Sequence, residues 1–518
     1  MKRENIFKIA LLVIPLLCAS FSCTKLNTKV YDQVVNFWQT PDQVAAGVAP
    51  AYSGLRNYAP ANFIYSLNET STDEIIVPNR AIDWADDVVW EQMWKHTWGP
   101  NHQFIREVWQ QIYGGIARVN LILQSLNELN PKPTDITSIE AELKTIRAFY
   151  YYLAIDLYGN VPVHEVSVID QSKLATKTRK EVFDYTEKEL TGNLQALTTD
   201  VNASTYGRAT KWFAQAILAK LYLNAQVFTG TARWADCIAA CDAILNANKY
   251  SLEPNFFNNF QVANDGSKEN IFVIPFDGNA GLGDFWIQLA TLHYNSNKTF
   301  GIKGTFGVGG FNGHCSTAEY YNLFNPNDNR RKMFLVGQQY ENQIMDAAHL
   351  QYDRLGNLLF FDPVITSFKI QPPKTETAGA RCAKWEFNKE ETFTMSNDFA
   401  VFRLADIILM KAEAQFRNGD IAAALITINQ KINGVSIRSR AGLPGFIASE
   451  MTADGLLAER ARELSWEGFR RNDMIRLGHF TDSRIPDKSV SENFRNLYPI
   501  PRAELDKNPY LVQNPGYN

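Results

Sequence analysis

The sequence has no apolar run long enough to cross a bilayer, which takes about 20 residues; Ile9–Cys18, the clearest candidate, is too short. It has no excess of positive charge either, with 51 Lys+Arg against 55 Asp+Glu and no basic stripe. That excludes nucleic acid as a partner. Cysteines number six, none in C-x-x-C or zinc-type spacing, which removes structural zinc and dithiol redox chemistry. Cys237 and Cys241 are four apart on a helical stretch, where a disulfide fits poorly. Both read as small core residues, while a Cys315–Cys382 bridge stays open. Seven histidines are scattered without H-E-x-x-H, and there is no G-x-S-x-G elbow and no P-loop. Gly307-Val-Gly309-Gly310-Phe311-Asn312 misses the dinucleotide fingerprint at its sixth position. No metal or cofactor is expected.

What is present is a large core. Hydrophobic residues make up 45% and charged residues 20%, the balance of a folded body. Length alone suggests three domains. Aromatic residues stand out, with 11 Trp, 21 Tyr and 32 Phe.

The first residues read as an address. Lys2, Arg3 and Lys8 precede the apolar run, the pattern of a secretory signal peptide over residues 1–22. Ser20-Phe21-Ser22-Cys23, followed by Thr24-Lys25-Leu26-Asn27, resembles a bacterial lipobox, in which the chain is cut before the Cys and its sulfur is acylated. Loss of Lys2, Arg3, Lys8 and Glu4 with the leader takes the formal charge from −4 to −6. Acyl chains contribute about 0.8 kcal/mol per buried methylene, and two anchor stably. The expectation is a body tethered to a membrane through Cys23.

Helical periodicity organises four stretches. Residues 102–128 place Ile105, Trp109, Ile112, Ile116, Val119, Leu123 and Leu126 on one face, and 138–158 align Leu143, Ile146, Tyr150, Leu153 and Leu157. Residues 208–248 and 398–434 each read as two helices, the latter pair broken at Asn418-Gly419-Asp420. Small residues recur where paired helices meet: Ala214, Ala216 and Ala219 against Ala235, Ala239 and Ala240, then Ala405, Ala412 and Ala414 against Ala422, Ala423 and Ala424. Such pairs resemble tetratricopeptide repeats. The fold expected is mostly α, a superhelix of antiparallel helix pairs over about 35–58, 102–250 and 398–480. Irregular insertions at about 60–100 and 250–397 interrupt it, and long insertions of this kind are usually functional.

The first insertion concentrates aromatics. Five of the eleven tryptophans lie between Trp84 and Trp109, among Asp73, Glu74, Arg80, Asp83 and Asn101. Flat apolar ring faces beside directional hydrogen-bonding groups are what a pyranose needs. Trp90, Trp94 and Trp98 also fit a buried helical stripe at i, i+4, i+8, so Trp98 is open between core and ligand platform. Trp84, among acidic neighbours, is better placed for exposure. The second insertion adds Phe285, Trp286, His293, Tyr294, Phe300, Phe306 and Phe311. Glu459, Glu463 and Glu467 are the best paired carboxylates for a glycosidase, but Arg460, Arg462, Arg470 and Arg471 beside them make a salt-bridged face. No enzyme activity is expected.

Four motifs in order resemble the SusD/RagB family of outer-membrane nutrient-binding lipoproteins. They are Arg147-Ala-Phe-Tyr-Tyr-Tyr-Leu with Tyr158-Gly-Asn-Val-Pro162, Arg403-Leu-Ala-Asp through Ala414, Glu459-Arg-Ala-Arg-Glu through Arg471, and Leu497-Tyr-Pro-Ile-Pro501 through Tyr517. The resemblance implies one domain over residues 23–518 with four tetratricopeptide-like helix pairs. It also implies a non-catalytic protein on the outer surface of the cell that captures an oligosaccharide, or in the RagB-type alternative a peptide. Captured ligand passes to a SusC-like TonB-dependent outer-membrane transporter. By similarity to the starch-binding members, Asp73, Arg80, Trp98 and Asn101 face the sugar, with Trp84, Trp286 and Tyr294 completing the expected ligand-binding set.

Overall fold

The computed structural model describes residues 38, 40–59, 63–85, 88–166, 174–278, 280, 285–303, 309–389 and 395–517. Residues 1–22 and Cys23 therefore lie outside the described residues. The chain divides into two compact units, Met1–Gly47 and Val48–Asn518. In the first, Thr40 and Gln43 cap each other's backbone N–H at the start of α1 (Pro41–Ser53).

The second unit is built from helices. α2 (Ile64–Glu69) and α3 (Val89–Lys95) are short, and α4 (Gln103–Asn127) and α5 (Ile136–Leu157) are long. α6 (Arg179–Asn193), α7 (Lys211–Leu223) and α8 (Trp234–Leu245) follow. After the second insertion come α9 (Leu404–Arg417), α10 (Ile421–Ile428), α11 (Ala453–Glu463) and α12 (Arg470–Leu477). The pairs α4/α5, α5/α6, α7/α8, α8/α9 and α9/α10 pack side by side. This is the mostly α, tetratricopeptide-like arrangement expected from the periodicity.

Local chemistry sets the helix ends. Thr178 and Glu181 form a capping box on α6, and Thr210 and Thr452 cap α7 and α11. The predicted break before α10 is a left-handed Gly419 followed by Asp420, whose carboxylate accepts from Ala423 N at 2.9 Å. The periodic face of α4 is buried as read, from Ile105 through Leu126. The alanine pattern holds in part: Ala214, Ala216, Ala219, Ala240 and Ala424 are buried, whereas Ala235, Ala239 and Ala422 face solvent. Cys237 and Cys241 are buried free thiols, and so are Cys315 and Cys382.

Buried ion pairs lock the helices together. Lys220 on α7 meets Asp406 on α9 at 2.7 Å, and Arg460 on α11 reaches both Asp406 (2.9 Å) and Asp473 on α12 (2.7 Å). Arg330 joins Glu459 (2.9 Å) and Glu463 (3.0 Å), and Arg440 also reaches Glu463, at 2.6 Å. Two of the four resemblance motifs, those from Arg403 to Ala414 and from Glu459 to Arg471, thus supply much of this ion-pair core. Their signal is about fold.

The second insertion leaves and returns at one place. β1 (Asn270–Ile274) pairs antiparallel with β2 (Phe399–Arg403), so the strands on either side of the excursion are hydrogen-bonded neighbours. Within it, Gly337–Gln338 pairs with Phe360–Phe361, and bridges Tyr340–Leu350 and Tyr352–Leu358 continue toward an exposed tip. That hairpin carries functional-looking side chains away from the helical body.

Candidate functional site

The expected ligand residues fall into three places. Trp98 is corrected to core: it is 1% exposed, donates its indole N–H to the Tyr517 hydroxyl (2.7 Å), and packs against His96 and Tyr498. α3 ends at Lys95 with a left-handed His96, so Trp98 leaves the helical stripe and turns into the C-terminal segment. Arg80 is also corrected. It is 2% exposed and spends its donors on Thr375 O, Ala378 O and the Cys315 sulfur. Asp73 is half-buried and clamped by Arg470 through two 2.7 Å bonds. Asn101 is exposed at the start of α4, next to Pro100, whose carbonyl accepts from Arg502 N.

Asp83, Trp84 and Tyr294, by contrast, lie in one assembly at the junction of the two insertions. Residues 80–83 form a tight hairpin, closed by Arg80 N to Asp83 O (2.9 Å), whose tip residue Ile82 is 91% exposed. Trp84 follows with φ 59°, a left-handed conformation that costs a bulky residue energy and marks functional sites. Its indole N–H is donated to Phe311 O at 2.6 Å, and its ring stands edge-on to Trp90 and His314.

The glycine run that failed as a dinucleotide motif explains this placement. Residues 309–314 form a strap laid on the turn at 287–297, with Gly309 N to Tyr294 O, Phe311 N to Leu289 O and Asn312 N to Leu292 O at 2.6–2.8 Å. A Cβ on Gly310 would come within 2.2 Å of Leu292 O, and one on Gly313 within 2.3 Å of the Trp84 ring. Only glycine lets backbone and indole approach so closely. Trp286 is half-buried and meets Phe311 edge to face at 6.2 Å.

The polar side of the site was not read from the sequence. The Tyr294 hydroxyl donates to Asp83 Oδ2 (2.7 Å), and Arg354, from the tip of the hairpin, donates to the same oxygen (2.7 Å). The Arg354 guanidinium lies 3.6 Å from the Tyr294 ring centroid, so it covers one face of the ring. Its Nε reaches Glu376, while Nη1 has no partner among the described residues and the side chain is 45% exposed. An Asx turn at Asp353, accepting from Leu355 N and Asn357 N, shapes the tip that presents it. No spacing rule links positions 83, 294, 354 and 376.

Protonation states follow from the contacts. Burial opposes charge on Glu376, but hydrogen bonds from His293 and Arg354 outweigh it and hold the carboxyl down to about 2. Asn295 N donates to His293 Nδ1 (3.1 Å), so the proton sits on Nε2, which donates to Glu376 (2.9 Å). Burial, reinforced by Asp83, pushes the Tyr294 phenol up and keeps it a donor. The assembly offers a guanidinium with open donors, a shared carboxylate and an indole. These groups can donate to and accept from hydroxyl groups, and Glu376 is held in the wrong direction for a general acid.

Glu459, Glu463 and Glu467 are buried inside the scaffold. Burial opposes ionisation of Glu459, yet Arg330, Arg462 and Arg438 hold it down to about 2, the wrong direction for a general acid. Among the described residues no cluster suits a metal ion, and no helix is long and apolar enough to cross a membrane.

Comparison with known proteins finds two family models: one described as "SusD family" over residues 373–517, and one described as "Starch-binding associating with outer membrane" over residues 27–223. The chain is 26% identical to "Starch-binding protein SusD" of Bacteroides thetaiotaomicron over 88% of this chain and 85% of that protein. It is 24% identical to "SusD-like protein P25" of Formosa agariphila over 100% of this chain and 99% of that protein. Among solved structures, it shares the fold of surface glycan-binding protein A from Bacteroides thetaiotaomicron in complex with laminarihexaose. The TM-score is 0.74 at 20% identity, covering 92% of this chain and 99% of that one. A laminarin binding SusD-like protein matches with TM-score 0.73 at 21% identity, covering 92% and 99%.

Proposed function

The chain belongs to the SusD/RagB family, and from that premise we propose that it is a non-catalytic, surface-exposed glycan-binding protein of the outer membrane. Its N-terminus is tethered through acylated Cys23, and it passes captured oligosaccharide to a SusC-like TonB-dependent transporter. The observation that carries the reading is the Asp83–Tyr294–Arg354 assembly, with Trp84 held beside it in a left-handed conformation. Its charges largely cancel, which favours a neutral glycan over an acidic one. The starch and laminarin named for related proteins are neutral polymers and agree with this.

The hand-off gains support from the same hairpin. Ile344, Met345, Leu355, Leu358 and Phe360 are all exposed along it, and exposed apolar side chains in number mark protein contacts. Binding through hydrogen bonds and partial ring contact is weak, which suits a ligand that must be released into a barrel.

Calorimetry of the protein lacking residues 1–22, against neutral glycans, acidic glycans and peptides, tests the reading. Heat with a neutral oligosaccharide, reduced at least about tenfold in affinity by Arg354→Ala (about 1.4 kcal/mol), is the expected result. Binding to peptides with no response to any glycan overturns it in favour of peptide capture. Metabolic labelling with an alkyne fatty acid, lost in Cys23→Ala, tests the anchor.

A further inference from the structure

A second cavity lies away from the loop site, along one face of α4. It is half-open, about 310 Å³ in volume, at the small end of the range that holds ligands. Trp109, Tyr113 and Gly114 line it from the helix, His164 from the segment after α5, and Glu504 and Lys507 from the C-terminal segment. Its aromatic side is layered: Trp109 and Tyr113 ring centroids are 4.6 Å apart, and Tyr113 and His164 lie near parallel at 6.1 Å.

Among the described residues, two donors in this lining have no protein acceptor. Trp84, Trp94, Trp98, Trp212 and Trp466 each donate the indole N–H to a protein oxygen. Trp109 is 5% exposed, and among the described residues its N–H finds none, which leaves the donor open to whatever occupies the cavity. His164 is the second. Asn120 accepts from Arg147 through Oδ1 (2.6 Å), so its Nδ2 donates to His164 Nδ1 (3.1 Å). The imidazole proton then sits on Nε2, which has no acceptor among the described residues. Across the cavity, the Glu504 carboxylate accepts, among the described residues, from Lys507 (3.2 Å) and Gln110 (3.4 Å). Those charges cancel in place.

We infer that this cavity is a second saccharide site, taking one ring of a neutral glycan. The apolar face of the sugar ring lies on the open floor at Gly114, beside the edge of Tyr113. Its hydroxyls accept from the Trp109 and His164 N–H groups and donate to Glu504. The inference rests on the glycan reading above. It adds a contact on the rigid scaffold, so that one chain or two glycan chains engage the protein at separated points.

Indole N–H resonances of the protein labelled with ¹⁵N-tryptophan, titrated with laminarihexaose, maltohexaose and cellohexaose, test it. Trp84, Trp109 and Trp286 are assigned from their Phe variants. The Trp109 signal is expected to shift with at least one hexaose, to shift equally in Asp83→Ala, and to lose its response in Gly114→Trp. A Cβ at position 114 meets nothing within 4 Å, so the larger side chain fills the cavity without displacing the helix. Glu504→Ala is expected to lose the response as well. Sugar shifts at Trp84 or Trp286 with Trp109 unmoved overturn this inference and leave glycan capture standing. No shift at any indole overturns both. A casein digest that moves Trp109 where no sugar does overturns the saccharide assignment.

Discussion

Carboxylates and guanidinium groups meet in two regions of this molecule, and burial separates what they do. Around α11, Arg330, Arg403 and Arg440 face Glu269, Glu459, Glu463 and Glu467 with every side chain at most 2% exposed. At the loop site, Arg354 faces Asp83 with side chains 45% and 30% exposed. Paired charges sealed from water stabilise only as a complete set, because any survivor is left without solvent or partner. Half-exposed charges lose little when a partner leaves and remain free to meet a ligand. The first arrangement holds helices in register. The second leaves a guanidinium and a carboxylate within reach of solvent.

The largest effect expected from breaking this comparison is at Arg330. Arg330→Ala takes from Asp328 its ion-pair partner and from Glu459 and Glu463 one of theirs and is expected to cost about 3–5 kcal/mol, read by urea denaturation. A loss below about 1 kcal/mol, the range of surface pairs, erases the distinction. Trp98→Ala comes next, at about 3–5 kcal/mol for a large buried ring, with glycan affinity of the folded protein unchanged. Selective loss of binding at intact stability would return Trp98 to the site.

Glu376 sits between the two regions, buried yet bonded to the exposed Arg354. Its carboxyl is held down to about 2 from an ordinary 4.5, so its contribution is present above about pH 4.5 and is lost as pH falls toward 2. Glu376→Gln is expected to cost about 2 kcal/mol at pH 7 and to flatten the acid limb of the stability curve over that window. An unchanged limb means the carboxyl is not held down. The smallest stability effect is at Asp83. Asp83→Ala is expected to shift stability by no more than about 1 kcal/mol while weakening glycan binding at least about tenfold, by denaturation and calorimetry side by side.

The fold was legible because its signals are repeated and local. The periodic faces of α4 and α5 and the Asn418-Gly419-Asp420 break each depend on residues a few positions apart. The motifs of the family resemblance were readable for a related reason: Arg403, Asp406, Glu459 and Arg460 are fixed by mutual burial. Carried onto a ligand, the same kind of likeness misplaced Arg80 and Trp98, whose side chains the tertiary fold turns inward to Thr375, Ala378 and Tyr517. Arg354 and Glu376 were not singled out at all, since each is an ordinary loop residue until the hairpin brings it to Asp83 and His293.

By itself, then, the sequence determined a helical scaffold, its broken pairs and the absence of familiar catalytic motifs. The tertiary structure decided which aromatics meet solvent and which polar groups converge. Periodicity and turn breaks are properties of neighbouring residues, whereas the candidate site here is closed by contacts spanning from position 83 to position 376, which only the packed chain can bring together.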